Sequence, residues 1–252
     1  MFSAIFVSCV PSKDLIYLQN KNNSAEQNLV SPVNSKPYRI QTNDVLSISI
    51  KTIDPKIDAL FNITTSSVVV KDAQSLYFDG YNVDDHGNIR IPLVGEVNVL
   101  GFTIDETRKK LEEKLLSEYF KKESNLFVNV KLAGFRYTIN GEVAAPGTKS
   151  LLQDKLNILE AIANAGDITT TGNRKDVQII RQTPQGSEIH AIDLTDIKAL
   201  QSPYYFLQPN DYIYVKPLKQ KTWGTGKTGI ESLGTIITLL SLVTTTFLLL
   251  KK

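Results

Sequence analysis

The sequence predicts an α+β protein with a long apolar helix near its C-terminal end. Apolar and polar residues alternate over 46–50 and again over 128–132, which is the period of a half-buried strand. Between them, apolar residues recur at helical spacing over 104–120. An uncharged run of nineteen residues occupies 232–250. Strands and helices are therefore mixed along the chain, and its 252 residues leave room for one large or two small domains.

The first domain is predicted to span 36–132. Thr103 and Glu106 have the spacing of a capping box, in which each side chain binds the backbone N–H of the other residue, so a helix is expected to follow them. Its apolar stripe is expected to consist of Ile104, Leu111, Leu115 and Tyr119. The expected strands of this domain are 46–50, 88–91, 94–99 and 128–132.

A second domain is predicted over 136–216, without a long linker before it. Asn157 and Glu160 again have capping-box spacing, and Gly166 suits the C-terminus of the helix that follows. The buried face of that helix is expected to consist of Leu159, Ile162 and Ala163. The expected strands are 136–143, 177–181, 187–194 and 212–215.

A similar turn sequence precedes a strand in both domains. Gln41–Asp44 comes before one strand and Leu207–Asp211 before another, and both segments end in Asn-Asp. Asn and Asp favour turns because their short side chains hydrogen-bond the local backbone. The same turn chemistry is therefore expected to introduce a strand twice.

The composition excludes several classes of function. The chain has 28 Lys and Arg against 26 Asp and Glu, so its net charge of +2 provides no bulk positive field for nucleic acid. One cysteine, Cys9, and two histidines, His86 and His190, cannot supply a disulfide framework or a Cys-rich zinc site. No catalytic, metal or cofactor site is predicted, because Asp84–His86 is typical of a polar turn and Gly224–Thr228 lacks the glycine spacing of a phosphate loop.

Residues 1–9 resemble the end of a bacterial lipoprotein signal, with an apolar segment and a small residue directly before Cys9. Cys9 is then the predicted lipidation site, modified by palmitate in the mature protein. The alternative is a buried free cysteine near the terminus. Residues 10–35 are rich in Asn, Ser and Gln and are predicted to form a tether, with one apolar island at Leu15–Leu18.

A transmembrane helix is predicted over 230–250, after a linker at 217–229. As a helix, the uncharged run would be about 28 Å long, close to the thickness of the hydrocarbon core of a bilayer. Trp223, Lys251 and Lys252 lie where interfacial anchors are expected.

Small and polar residues form a stripe along one face of this helix. Because they recur every three or four residues, they share a side of the helix; they are Glu231, Thr235, Thr238, Ser241 and Thr245. In a single helix the stripe would be a seam for close packing against a neighbour. In a ring of helices it would face a wet lumen. The tail by itself favours the packing seam.

Several sequence segments, in the order in which they occur, resemble motifs of the polysaccharide export domain of the Wza-like outer-membrane family. These segments are Pro37–Ile40, Asn43–Ile48, Asp85–Val97 and Val99–Thr103. Residues 138–215 are similar to the soluble-ligand-binding β-grasp (SLBB) module that follows this domain, through Gly141–Val143, Pro146–Gly147, Leu159–Ile162, Ala165–Gly166 and Leu207–Asp211. Asn43 and Asn210 stand where the family usually has Gly, a departure that Asn tolerates because it also enters the left-handed backbone region.

The resemblance implies a non-enzymatic subunit of a translocon that exports capsular polysaccharide or exopolysaccharide. Members of the family are lipoproteins of the outer membrane. They form closed homo-oligomeric rings with the main body in the periplasm and the C-terminal helices forming a porin-like channel. The stripe would then line a polar channel. The resemblance therefore favours the wet lumen over the packing seam, whereas the tail by itself favours the seam. The implied partners are further copies of the chain, the polysaccharide, outer-membrane lipid and an inner-membrane co-polymerase that regulates chain length.

A second class of function is a periplasmic carbohydrate-binding or scaffold protein whose tail is a simple membrane anchor. An enzyme is the third and most distant class. A hydrolase or transferase would need a clustered acid and base, for which the candidates are Asp44, Glu96 and Asp211.

Overall fold

The computed structural model describes residues 11–21, 37–52, 79–119, 126–183, 186–219, 221 and 229–250. Within these residues, the predicted α+β class is confirmed. Each of two domains combines β-strands with an α-helix, and a further α-helix lies near the C-terminal end.

The first domain consists of β1 (Val45–Lys51), β2 (Tyr81–Asn82), β3 (Asn88–Ile91), β4 (Gly95–Asn98), α1 (Ile104–Glu118) and β5 (Phe127–Leu132). Strand β1 lies between β2 and β5 in a three-stranded antiparallel sheet, while β3 and β4 form a separate hairpin. The core of the domain is apolar and includes Leu46, Ile50, Leu111, Leu115 and Val128, all fully or almost fully buried. The sheet and the hairpin therefore share one core with α1.

Helix α1 begins where its capping box predicts. The backbone N–H of Glu106 donates to Thr103 Oγ1 at 3.2 Å, and the N–H of Thr103 donates to Glu106 Oε2 at 2.8 Å. The buried face ends earlier than expected, because Tyr119 is exposed and its hydroxyl donates to the carbonyl of Leu93 at 2.6 Å.

The second domain consists of β6 (Phe135–Gly141), β7 (Gly147–Leu151), α2 (Ile158–Asn164), β8 (Gly172–Thr183), β9 (Gly186–Ile192) and β10 (Tyr212–Pro217). Its five strands form one sheet in the order β7-β6-β10-β8-β9, in which β6 and β10 are parallel and the other pairs antiparallel. Tyr137, which is fully buried, connects this sheet to α2 by donating to the carbonyl of Ala161 at 2.9 Å. The sequence did not predict β2 or β7.

The predicted capping box of α2 is confirmed, but its predicted buried face is partly wrong. The N–H of Glu160 donates to Asn157 Oδ1 at 2.9 Å, as the spacing predicts. The buried residues are Ile158, Ala161, Ile162 and Ala165, whereas Ala163 is exposed and Leu159 is only partly buried. The face is therefore rotated from the expected one, because the first residue after the cap already points into the core.

Residues 11–21 pack against the second domain instead of spacing the fold from the N-terminus as a free tether. The N–H groups of Leu18 and Gln19 donate to the carbonyls of Leu194 and Thr195 at 3.0 and 2.8 Å. Tyr17 and Leu18, from the apolar island, pack on the core of that domain. The island is therefore what attaches this segment, since burying it removes apolar surface from water.

Helix α3 (Gly229–Leu250) forms where the sequence predicts a helix. The expectation that it crosses a membrane is not met: in the described part of the chain, no helix is both long enough and apolar enough to do so. Ser and Thr side chains interrupt its apolar run.

Candidate functional site

Two turns of the same design lie at the junction of the domains. Asn43 and Asn210 both have a left-handed backbone, with φ of 66° and 67°. The next residue, Asp44 or Asp211, directs one carboxylate oxygen back to the N–H of the residue three positions earlier, at 2.8 Å to Gln41 and 2.7 Å to Gln208. The repeated turn chemistry predicted from the sequence is confirmed.

The two aspartates differ in the side chains that bind their carboxylates. Asp211 is 1% exposed and forms two hydrogen bonds with the guanidinium of Arg181, at 2.9 and 2.7 Å. Asp44 is 4% exposed and accepts the hydroxyl of Tyr38 at 2.6 Å. Burial raises the pKa of the Asp44 carboxyl, against the opposing effect of its hydrogen bonds. Burial and the Asp44 charge also raise the pKa of Tyr38.

The turns contact each other directly. The side-chain amide of Asn210 donates to Asp44 Oδ1 at 3.3 Å, so the turn that introduces β10 is linked to the turn that introduces β1. Asp44 and Asp211, the acid–base candidates from sequence, are therefore structural carboxylates held by turn backbone and by their neighbours.

A cleft of about 520 Å³ lies beside this junction, between the two domains. Pro37, Tyr38 and Leu132 line it from the first domain. The second domain contributes three aromatic rings and four charged side chains, namely Phe135, Tyr204, Phe206, Asp154, Lys155, Arg181 and Glu188. The cleft is thus largely apolar, with a small number of charged groups among its lining residues.

Tyr204 is the centre of a stacked group in the wall of the cleft. The ring of His190 stacks on the ring of Tyr204 with centroids 3.7 Å apart, and the Arg181 guanidinium lies 5.4 Å from the Tyr204 centroid. His190 Nε2 lies 3.0 Å from Glu188 Oε2. His190, expected from the sequence to be simply exposed, is partly covered by this stacking.

The hydroxyl groups of α3 bind the carbonyls of their own helix. Thr238 donates to Gly234 O at 3.0 Å, Ser241 donates to Thr238 O at 2.9 Å, and Thr245 donates to Ser241 O. A hydroxyl group that donates a hydrogen bond can also accept one through its oxygen. All three side chains are exposed, as are the apolar side chains on the rest of α3, for example Ile236, Leu240 and Val243.

The structure places only some of the predicted site residues. Cys9, Trp223, Lys251 and Lys252 lie outside the described residues. Glu231 and Thr235 belong to α3, but their side chains are outside the description as well.

Sequence reasoning missed the cleft entirely. Its lining comes from segments far apart in the chain, from Pro37 to Pro209, and periodicity does not show which segments meet. The one usable signal was the repeated Asn-Asp turn. In the sequence its second copy contains Pro209 and its first copy closely follows Tyr38, and both of these residues line the cleft.

Comparison with known proteins gives two family matches. Residues 32–132 match the family of polysaccharide biosynthesis/export proteins, and residues 136–215 match the SLBB domain.

Two curated relatives carry the same printed name, EPS I polysaccharide export outer membrane protein EpsA. The protein of Ralstonia nicotianae is 30% identical over 160 residues, which cover 60% of this chain and 41% of the relative. The protein of Ralstonia solanacearum is 28% identical over 153 residues, which cover 58% of this chain and 39% of the relative. The chain therefore matches about two fifths of the length of each relative.

Proposed function

Because this chain belongs to the Wza-like family of polysaccharide export proteins, with an export domain followed by an SLBB domain, we propose that it exports a capsular polysaccharide or exopolysaccharide across the outer membrane. The observation that carries the proposal is the succession of two family matches along one chain, since both curated relatives are named as polysaccharide export proteins of the outer membrane. The protein acts as a conduit and not as an enzyme.

In this proposal, identical copies form a closed ring around the path of the polymer. The α3 helices gather with Thr238, Ser241 and Thr245 facing the path, and Glu231 and Thr235 extend the same face. Support comes from the exposure of the described hydroxyl-bearing side chains, because a hydroxyl group can exchange hydrogen bonds with sugar hydroxyls. Such bonds replace bonds to water at little net gain, so the polymer slides and is not trapped.

The remaining features of the proposed assembly are inferred from membership of the same family. A lipid on Cys9 holds the N-terminus at the outer membrane, with the two domains in the periplasm. Trp223, Lys251 and Lys252 lie at the membrane interface. Energy and direction come from an inner-membrane polymerase and its co-polymerase, with which the periplasmic body makes contact.

A carbohydrate-binding or scaffold protein is the second candidate, and the aromatic cleft between the domains favours it. In that case α3 would only anchor the protein. Replacing 229–250 with an unrelated apolar helix separates the two functions, because an anchor can be exchanged with export intact and a conduit wall cannot.

The test is deletion of the gene in the source bacterium, followed by complementation. The deletion strain is expected to lose surface polysaccharide and to retain polymer inside the cell, and the wild-type chain should restore export. A chain with Thr238→Leu, Ser241→Leu and Thr245→Leu is expected to fail.

The matched control carries Thr244→Leu and Thr246→Leu, which remove hydroxyls on either side of the stripe. This control should export normally. Unchanged surface polysaccharide in the deletion strain would rule out the export function.

A further inference from the structure

The dipeptide Asn140–Gly141, at the end of β6, has the features of a chemical modification site. It is the only place in the sequence where Asn is followed directly by Gly. We propose that the side chain of Asn140 deamidates spontaneously in the folded protein, through attack by the backbone nitrogen of Gly141. Because the reaction needs only the chain and water, it does not depend on the proposed export function.

The attacking nitrogen and the side-chain amide are already in contact. The N–H of Gly141 donates to Asn140 Oδ1 at 2.8 Å. Because a carbonyl bond is about 1.23 Å long, this hydrogen bond also places the nitrogen within about 4 Å of Cγ, the carbon atom that it attacks. Reacting atoms form a near-attack pair at about 3 to 3.5 Å, so a small rotation of the side chain brings the two together.

The position of Gly141 in the sheet directs its N–H to this side chain. A strand N–H is normally bound to a carbonyl of a neighbouring strand, which keeps the nitrogen from reacting. On the side of β7, the register of β6 ends at Ile139. On the side of β10, the carbonyl of Val215 accepts the N–H of Glu142 at 2.9 Å. The N–H of Gly141 is instead bound to the amide of Asn140.

The fold also requires the residue that shields the nitrogen least. Gly141 has a φ of 92°, which residues with a side chain rarely adopt, and a Cβ at this position would overlap the carbonyl oxygen of Val215. A glycine nitrogen has no neighbouring side chain to obstruct its approach to Cγ. Asn140 is exposed, so water reaches the product of the attack.

The reaction has two steps. The Gly141 nitrogen forms a bond to Cγ while the bond from Cγ to Nδ2 breaks, and the N–H proton leaves with the side-chain amine as ammonia. The five-membered succinimide that remains is then opened by water. Cleavage of its bond between nitrogen and Cγ gives aspartate, whereas cleavage at the backbone carbonyl of residue 140 gives isoaspartate, in which the main chain runs through Cγ.

Both products change the contact between β6 and β10. Asn140 Nδ2 donates to the Tyr212 hydroxyl at 3.0 Å, and neither product retains this donor. Isoaspartate also adds one carbon atom to the main chain of β6, where Asn140 and Gly141 lie opposite Tyr214 and Val215. Since β6 and β10 are neighbours inside the five-stranded sheet, a chain with isoaspartate is expected to unfold at a lower denaturant midpoint.

The experiment follows the full chain in a zwitterionic detergent, at mildly alkaline pH and physiological temperature, by mass spectrometry of tryptic peptides. The peptide 137–149 is expected to become heavier by about one mass unit, because an amide becomes a carboxyl group, and to separate into two chromatographic forms. The matched internal control is Asn98, which is exposed at the end of β4 and is followed by Val99, whose N–H is held by the carbonyl of Gly87 at 2.8 Å. Deamidation of Asn140 should be at least about tenfold faster than that of Asn98.

Two further samples separate the effect of the fold from that of the dipeptide. The chain denatured in guanidinium chloride keeps the dipeptide but loses the contact between the nitrogen and the amide. The folded chain is therefore expected to deamidate at Asn140 at least as fast as the denatured chain. Asn140→Gln keeps an amide but would have to close a six-membered ring, so its peptide should keep its mass over the same time.

The proposal is overturned if the peptide 137–149 keeps its mass in the folded wild type, if folding slows the reaction relative to the denatured chain, or if Asn98 reacts as fast as Asn140. A mass increase that persists in Asn140→Gln would also overturn it, because the modification would then lie at another residue. None of these outcomes bears on the export function, which is read from surface polysaccharide in the deletion strain.

Discussion

Asn210 donates a side-chain hydrogen bond to Asp44 at 3.3 Å, and this contact joins two turns that are built on the same Asn-Asp sequence in different domains. Each Asn provides the left-handed residue of its turn, and each following Asp closes the turn through its carboxylate. The two turns that introduce β1 and β10 therefore meet at the domain junction.

Substitutions of Asn210 distinguish the contribution of the turn backbone to stability from the contribution of the side-chain hydrogen bond to Asp44. Asn210→Gly keeps the left-handed backbone but loses the amide, so the free energy of unfolding should fall by about 1 kcal/mol. Asn210→Ala adds backbone strain of about 1 kcal/mol. Urea denaturation measures both. Asn43→Gly is the control, because it has the same backbone effect and leaves the contact to Asp44 intact; equal losses at the two positions would contradict the role of the amide.

Loss of Asp211 should be far more damaging than loss of an exposed carboxylate. Asp211→Ala leaves the Arg181 guanidinium, 11% exposed, without its paired charge, and we expect a loss of about 3 kcal/mol in the free energy of unfolding. Asp105→Asn removes a carboxylate that pairs with Arg108 at the surface of α1 and should change stability little. Similar midpoints for the two variants in urea would argue against a structural ion pair at Asp211.

Asp44 should give the protein a specific pH dependence. Because burial holds the folded pKa of Asp44 above its ordinary value of 3.8, the folded state keeps this proton over a range of pH in which the unfolded state has lost it. The contribution of Asp44 to stability is therefore present below pH 3.8 and decreases as the pH rises through the raised folded pKa.

Comparison with Asp44→Asn isolates this effect, since asparagine does not titrate. Unfolding free energies measured in steps upward from pH 3.8 should fall for the wild type relative to the variant. A difference between the two proteins that stays constant with pH would show that the Asp44 pKa is not raised.

Tyr17 should hold residues 11–21 on the second domain. Its hydroxyl donates to Asp167, and Arg174 lies 5.2 Å from its ring centroid. Tyr17→Ala should abolish the protection of the Leu18 and Gln19 amides in hydrogen exchange, because docking loses its aromatic contact. Lys13→Ala, at an exposed position of the same segment, should retain the protection.

Ionisation of Tyr17 should weaken the docking of residues 11–21 at alkaline pH. Burial, followed by the hydrogen bond to Asp167, raises the pKa of Tyr17 from 10.0 to about 12. The contribution of Tyr17 to stability is thus complete below pH 10.0 and is lost as the pH approaches about 12. Tyr17→Phe should lack this loss when amide exchange is compared across that range.

The sequence predicted the parts of this fold that depend on local chemistry. Both capping boxes formed because a side chain and a backbone N–H three residues apart meet in any helix start. Asn43 and Asn210 adopted the left-handed backbone for an equally local reason.

The missed features depend on contacts between distant segments. Strand β7 follows a Pro-Gly turn and is recognisable only through its pairing with β6. The docking of Tyr17 and the stacking of His190 on Tyr204 join residues that no periodicity relates. The cleft belongs to the same class, since its walls exist only after the two domains meet.

The stripe of α3 offers the most direct measurement on the proposed conduit. Thr238→Cys places a thiol on the stripe, and Val243→Cys places one on the opposite side of the helix with a similar change in size. Cells with each variant, and cells with the wild-type chain to account for Cys9, are treated with a bulky membrane-impermeant thiol reagent, and the rate of polysaccharide export is measured. A conduit lined by the stripe predicts that the reagent blocks export only in Thr238→Cys, whereas equal export in all three strains, or a block in Val243→Cys alone, would contradict it.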